Sequence, residues 1–122
     1  MQATIADAFK NDRLIDITTT GRKTGLLHRK EISFQYIDGD VYITGYPGRR
    51  GWYANLLSDP NFTVHLKESV QLDLLARATP IIEDRVKREF FRIMNERSKS
   101  NDQMDLEAWV QHSPLIKITL SS

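Results

Sequence analysis

The stretch Thr18-Thr19-Thr20-Gly21-Arg22-Lys23-Thr24-Gly25 connects two apolar segments, residues 14–17 and 31–34. It therefore predicts a strand, a tight turn bounded by glycines, and a second strand. Glycines let the backbone approach a ligand closely, and hydroxyls, backbone N–H groups and cations can donate hydrogen bonds to it. The turn suits a phosphate or a polycarboxylate, although basic turn residues are commonly only solvated.

Positive charge continues beyond the turn. His28, Arg29 and Lys30 follow it, and no acidic residue occurs between Asp16 and Glu31. His28 could donate a hydrogen bond to an anion or simply be a turn residue without a ligand role. The glycine spacing fits neither a Walker loop nor a Rossmann fingerprint, so the pattern does not indicate a nucleotide site of either kind.

The composition restricts the class of protein. A chain of 122 residues with 40% hydrophobic and 27% charged residues is typical of a single globular domain, here residues 1–122. The net charge of +1 does not favour nucleic-acid binding. The absence of cysteine excludes disulfides and thiolate chemistry and fits a cytoplasmic location. We expect neither a classical signal peptide nor a membrane-spanning helix.

Hydrophobic periodicity predicts a mainly β or α+β fold. Strands are expected at residues 14–19, 31–36, 41–44, 62–67, 70–79 and 114–120, and helices at 3–10, 52–57, 83–97 and around 106–110, with a loop at 98–102. Asp38-Gly39 is a strong hairpin signal. Five or six strands without regular βαβ alternation predict a small antiparallel sheet that curls into a barrel, with two to four flanking helices.

A second cluster occupies residues 45–57 and combines Gly, Arg and aromatic residues. Trp52 and Leu56 are spaced to pack a short helix on the barrel. The same composition could form a platform for a flat heteroaromatic ring, with Arg49 and Arg50 reaching further negative charge. Both interpretations remain open from the residues alone.

Other chemistry has little support. None of the three histidines belongs to a metal-binding motif such as H-E-x-x-H, so no metal site is predicted. His65 is expected on the solvent-exposed face of a strand, and His112 at a helix end. No nucleophile elbow is present, and Tyr46 and Tyr53 are the possible proton donors.

The two clusters, in this order, resemble the deazaflavin-dependent nitroreductase family, within the flavin-binding split-barrel superfamily that includes pyridoxamine-phosphate-oxidase-like proteins. The matching segments are residues 18–25, 28–32 and 49–64. The resemblance implies a split β-barrel that binds coenzyme F-420, a deazaflavin with a phosphate and a polyglutamate tail. FMN is the alternative cofactor.

The resemblance also implies roles for individual residues. Tail contacts are expected from Thr20, Arg22, Lys23, Thr24 and Gly25. Many family members continue with Lys-Pro-Arg, where this chain has Leu26-Leu27-His28, so His28 or Arg29 would replace the arginine contact. The ring is expected against Tyr46, Pro47, Gly48 and Arg49, with Arg50, Trp52, Tyr53 and Asn55 shaping the pocket.

The implied activity is hydride transfer from reduced F-420 to an electron-poor acceptor, such as a quinone, a nitroaromatic compound or an activated enone. An FMN-dependent oxidoreductase and a non-catalytic flavin- or deazaflavin-binding protein are the alternatives. A homodimer is expected, since split barrels of this kind often pair.

Overall fold

A computed structural model describes residues 2–98 and 104–121. The described residues form four helices and seven strands in the order α1 (Ala3–Asn11), β1 (Leu14–Thr20), β2 (Leu27–Ser33), β3 (Gln35–Ile37), β4 (Asp40–Thr44), α2 (Gly51–Ser58), β5 (Asn61–Leu66), β6 (Leu72–Pro80), α3 (Asp84–Arg97), α4 (Leu106–His112) and β7 (Leu115–Leu120). None of these helices is long and apolar enough to cross a membrane. Most of the loop predicted at 98–102 lies outside the described residues.

The strands form one sheet in the order β2-β1-β5-β6-β7-β4-β3, and every neighbouring pair is antiparallel. The two outermost strands, β2 and β3, are separated in the chain by Phe34 alone. Because one residue cannot span an open seven-stranded sheet, the sheet must curl until its two edges meet. The predicted antiparallel split barrel with flanking helices is therefore confirmed.

Apolar side chains fill the barrel in the alternation that a half-buried strand requires. In β1, Ile15, Ile17 and Thr19 are buried while their neighbours are partly exposed. On α1, Phe9 meets Phe34 edge-on, with the ring centroids 5.3 Å apart. The helix thus packs directly against the residue that links β2 to β3.

A second apolar cluster lies where α3 and α4 cover the sheet. Phe90, Phe91, Val110 and Leu115 form its buried part, with Trp109 packed against it. Phe91 is fully buried. This cluster fixes α4, and so positions Trp109 beside the loop that follows β4.

Several sequence predictions were wrong. The strand predicted at 31–36 is two strands broken at Phe34, and β2 begins earlier, at Leu27. The strand predicted at 70–79 begins only at Leu72, whose side chain is 40% exposed rather than buried. These errors arise where a strand lies at a sheet edge or extends beyond the core, because both faces then meet solvent and alternation is lost.

His65 was also predicted wrongly. Its side chain is buried rather than solvent-exposed. Nε2 lies 2.7 Å from Thr18 Oγ1, and Nδ1 lies 2.7 Å from Asp73 Oδ1. Partners on two neighbouring strands account for the burial of this polar ring on the outer face of the sheet.

Candidate functional site

The connection between β1 and β2 is a compact turn that closes on itself. Gly21 N donates to Leu26 O at 2.7 Å, and Gly25 N donates to Gly21 O at 2.9 Å. Gly25 has a φ of +73°, which glycine adopts without strain. At Gly21 an added Cβ would lie 2.7 Å from His28 Nε2 and 3.1 Å from Leu26 O. Both glycines are therefore required by the shape of the turn.

Asn55 on α2 attaches this turn to the barrel. Its Oδ1 accepts hydrogen bonds from Arg22 N at 3.2 Å and from Arg22 Nη1 at 3.0 Å. Its Nδ2 donates to Thr19 Oγ1 at 3.1 Å. Asn55 is only 6% exposed, so one buried amide satisfies three groups of the turn and of β1. The two sequence clusters are thereby joined in space.

The register of β2 against β1 divides its basic residues between the two faces of the sheet. His28 lies opposite Thr19, and Lys30 lies opposite Ile17, so both are on the inner face. Arg29 and Glu31 are on the outer face. There Arg29 Nε is 2.9 Å from Asp16 Oδ2, and Lys67 pairs with both Asp16 and Glu31. The outer face is thus electrically balanced, whereas His28 and Lys30 on the inner face form no ion pair with a carboxylate of the described residues.

These ion pairs change the titration of the outer-face carboxylate. The bond with Lys67, supported by Arg29, holds the pKa of Asp16 below its usual value, although partial desolvation opposes the shift. Hydrogen bonds to Asp16 and Glu31 raise the pKa of Lys67. Asp16 therefore serves the outer face and does not neutralise the turn.

A cavity of about 420 Å³ opens at the inner face of β2. We call it the cationic cavity; it is lined by Ile17, Thr19, Gly21, Arg22, Lys23, Thr24, His28, Lys30, Gly51, Trp52 and Asn55. Its lining includes two lysines, an arginine and a histidine and no carboxylate. Such a donor set is suited to phosphate or carboxylate groups.

A second cavity of about 620 Å³ lies next to it. We call it the aromatic cavity; it is lined by Lys30, Ile32, Ser33, Thr44, Gly45, Tyr46, Arg50, Trp52, Met94, Asn95, Ser98, Met104 and Trp109. The rings of Tyr46 and Trp109 are in contact, with centroids 5.6 Å apart. Aromatic rings and methionine sulfurs give this cavity the character of a site for a flat, polarizable ring.

Lys30 and Trp52 line both cavities. The cationic and aromatic cavities are therefore adjacent, and a ligand with a charged end and a flat ring could occupy both. Trp52 is held edge-on against Tyr53, with centroids 6.1 Å apart, which fixes the indole at the boundary.

The predicted site residues separate into four groups. Arg22, Lys23, Thr24, His28, Trp52 and Asn55 line the cationic cavity, and Tyr46 and Arg50 join Trp52 in the aromatic cavity. Pro47, Gly48, Arg49 and Tyr53 line a different cavity, near Lys87. Thr20, Gly25 and Arg29 line none of these three cavities. Arg29 is on the outer face, because successive residues of a strand alternate between the faces of the sheet and its neighbours His28 and Lys30 are on the inner face.

Sequence reasoning did not select Lys30 as a site residue, although strand alternation from His28 would have placed it on the same face. Met94 and Met104 were also missed, because they reach the aromatic cavity only through the packing of α3 and the segment before α4. No local signal in the sequence indicates that arrangement.

Comparison with known proteins identifies related sequences and folds. A model of the family described as F420H(2)-dependent quinone reductase matches residues 1–112. No curated protein matches the chain. Among solved structures, one from Listeria innocua, named for pyridoxamine 5′-phosphate oxidase, has 10% sequence identity and a TM-score of 0.72, and covers 98% of this chain and 92% of its own.

Two further solved structures show the same fold. An FAD-binding protein from Mesorhizobium loti has 12% identity and a TM-score of 0.68, with 100% of this chain and 91% of that chain covered. The heme storage protein HutZ from Vibrio cholerae has 12% identity and a TM-score of 0.71, with 99% and 90% covered. At these identities the likeness concerns the fold alone.

Proposed function

The chain belongs to the F420H(2)-dependent quinone reductase family, and from this premise we propose that it transfers a hydride from reduced coenzyme F-420 to a quinone. The observation that carries the proposal is the adjacency of the cationic and aromatic cavities through Lys30 and Trp52. The cofactor has the same division, a phosphate and polyglutamate tail attached to a flat ring.

The cationic cavity fits the tail. Arg22, Lys23 and Lys30 supply positive charge, and none of them forms an ion pair with a carboxylate among the described residues. Charge-assisted hydrogen bonds from such groups are worth about 1.5–3 kcal/mol each, and exposed ones are weakened by salt. Asn55 contributes by holding the turn that carries Arg22 and Lys23.

The aromatic cavity fits the ring. Tyr46, Trp52 and Trp109 line it together with Ile32 on the floor formed by β2. Aromatic contacts of this kind contribute about 0.5–1.5 kcal/mol beyond the area they bury. The side chains would orient the ring and keep water from its reacting face.

Reduced F-420, when bound, supplies a hydride that converts a quinone, together with a proton, to the hydroquinone. Of the two tyrosines predicted as proton donors, only Tyr46 lines the aromatic cavity; Tyr53 lines the cavity near Lys87. Tyr46 is therefore our candidate for orienting the acceptor or supplying the proton. Trp109, in contact with Tyr46, would extend the same wall of the acceptor site.

The test is a titration of the protein into F-420, in which the fluorescence anisotropy of the ring measures binding. FMN is tested in a parallel titration. We expect F-420 to bind more tightly, and we expect Lys23→Met and Lys30→Met each to weaken binding roughly 10- to 100-fold at low salt. Lys10→Met, which removes an exposed lysine of α1, is the matched control. Tighter binding of FMN would contradict the cofactor assignment.

Turnover is measured separately, with a panel of quinones, nitroaromatic compounds and enones and reduced F-420. Binding of F-420 without oxidation by any acceptor would contradict the proposed activity and favour a non-catalytic binding protein. The homodimer and the cytoplasmic location stay predictions, and light scattering coupled to size-exclusion chromatography tests the former.

A further inference from the structure

A cavity of about 610 Å³ lies beside the loop that follows β4 and shares no lining residue with the cationic or aromatic cavity. We call it the Lys87 cavity. Its lining includes the polar side chains of Arg49, Tyr53, Lys87, His112 and Ser113. The loop supplies Tyr46 to the aromatic cavity and Arg49 to this one. The Lys87 cavity is therefore a separate site that the proposed reaction does not use.

Lys87 is a buried cation. Its side chain belongs to α3, and the residue is only 9% exposed. Nζ donates to Ser113 O at 2.8 Å, and no ion pair with a carboxylate is found for it in the described part of the chain. Burial lowers the pKa of Lys87, and the charge of Asp84 only partly opposes this. A buried ammonium without a counter-ion is unfavourable, so an anion in the cavity would compensate it.

Ser113 provides an independent observation. The residue is 2% exposed, and its Oγ has no hydrogen-bond partner in the described structure. Buried hydroxyl groups in native proteins are nearly always paired, so an unpaired one requires an explanation. Oγ itself is occluded from the cavity, so a turn of the Ser113 side chain would bring it to a ligand oxygen, which would provide the missing partner.

The rim of the Lys87 cavity adds further donors. Arg49 and His112 are exposed on it, Tyr53 is half-buried, and no Asp or Glu lines it. Gly48 N donates to His112 O at 3.1 Å, which connects the loop to the end of α4 and brings Arg49 and His112 to the same rim. The rim and the floor thus present donors and positive charge without competing carboxylates.

From the buried Lys87, the unpaired Ser113 hydroxyl and the basic rim, we propose that this cavity is a second anion site, which binds a small molecule through its phosphate or carboxylate group. The anion would accept hydrogen bonds from Lys87 Nζ and Ser113 Oγ, and Arg49 would close over it. The proposal is independent of the identity of the redox cofactor.

The experiment is an NMR titration of the ¹⁵N-labelled protein with inorganic phosphate and, separately, with succinate, at constant ionic strength. We expect amide shifts at Gly48, Tyr53, Lys87 and Ser113 with a Kd in the millimolar range or tighter. Lys87→Met keeps the apolar length of the side chain and should weaken this binding at least tenfold. Lys10→Met removes the same charge elsewhere and should leave it unchanged. The relative response to phosphate and succinate identifies the preferred group.

Shifts confined to the turn at residues 21–25 would place the anion in the cationic cavity and overturn the proposal. An unchanged Kd in Lys87→Met, or no shift at the cavity residues with either anion, would overturn it as well. If Lys87→Met does not fold, Arg49→Ala gives the same test from the exposed rim, with an expected loss of several-fold. F-420 binding measured on Lys87→Met is expected to be unchanged, which separates the two sites.

Discussion

Substitution of Asn55 by alanine tests the link between the turn and the barrel. The change removes the acceptor of two Arg22 donors and the donor to Thr19 Oγ1. Thr19 is only 2% exposed, so its hydroxyl loses a partner that water cannot easily replace. That loss costs about 1–1.5 kcal/mol, and the two bonds to the exposed Arg22 cost about 0.5 kcal/mol each.

The free energy of unfolding of Asn55→Ala should therefore fall by about 2–2.5 kcal/mol, which corresponds to a decrease in Tm of about 10 °C in a chain of this size. Urea unfolding followed by circular dichroism measures the former, and calorimetry the latter. Asn61→Ala, which truncates an exposed amide after α2, is the control and should change stability by less than about 0.5 kcal/mol. A loss below that limit in Asn55→Ala would refute the argument.

Asn55→Asp separates stability from binding. A carboxylate keeps an acceptor for Arg22, and its other oxygen can accept from the Thr19 hydroxyl, so the free energy of unfolding should change by less than about 1 kcal/mol. The added negative charge lies in the lining of the cationic cavity and should weaken F-420 binding at least about tenfold, most strongly at low salt. Unweakened F-420 binding would exclude this cavity as the tail site.

Three further predictions follow from the geometry. Gly21→Ala should displace the exposed ring of His28, whose Nε2 would lie 2.7 Å from the new Cβ, and should destabilise the protein by about 1 kcal/mol, because the backbone oxygen of Leu26 at 3.1 Å must also give way; NMR and urea unfolding measure the two effects. Because the pKa of Asp16 is lowered in the folded protein, its ion pair with Lys67 stabilises the fold fully above the unfolded-state pKa near 3.8. This stabilisation is lost as the pH falls through the lower folded-state pKa. Asp16→Asn should therefore flatten the pH dependence of the free energy of unfolding in that acid range. Tyr46 is 75% exposed, so Tyr46→Ala should change the free energy of unfolding by less than about 0.5 kcal/mol. The same substitution should raise the Kd for F-420 about 2- to 10-fold, and Tyr46→Phe should restore binding.

The sequence predicted well those elements whose patterns are local. The Asp38-Gly39 turn has φ values of 52° and 82° and forms the expected hairpin between β3 and β4. β1 alternates because one of its faces fills the barrel. Residues 27–30, the first part of β2, carried no such pattern, since both faces of the strand are exposed there, and Leu27 is 72% exposed. An edge strand that borders a cavity does not show the alternation on which strand prediction depends.

The candidate site could be predicted only in part, for a different reason. Arg22, Lys23 and Asn55 were identified because their types and order resemble a known pattern, and the structure brings them into one cavity. The partner of His65 and the face taken by Arg29 depend on strand register across the sheet, which a single sequence does not determine. The loop after β4 was predicted as one ring-binding unit, yet Tyr46 and Arg50 line the aromatic cavity, whereas residues 47–49 line the Lys87 cavity.

The alternation of β2 side chains between the two faces of the sheet explains why a nearly neutral protein can present a strongly basic site. Arg29 and Glu31 take the outer face, where Asp16 and Lys67 complete a balanced set of ion pairs. His28 and Lys30 take the inner face, together with the basic turn. Repulsion among the positively charged side chains of the inner face and the turn destabilises the unliganded fold slightly. An anionic cofactor tail would relieve this repulsion.

Added F-420 should consequently raise the Tm of the protein, by mass action, and salt should reduce this gain while raising the Tm of the free protein. Differential scanning fluorimetry at several ionic strengths measures both trends. Lys30→Met should raise the Tm of the free protein at low salt and diminish the gain from F-420, whereas Arg29→Met, on the balanced outer face, should lower the Tm and leave that gain intact. The reverse pattern would mean that Arg29, and not Lys30, faces the cofactor.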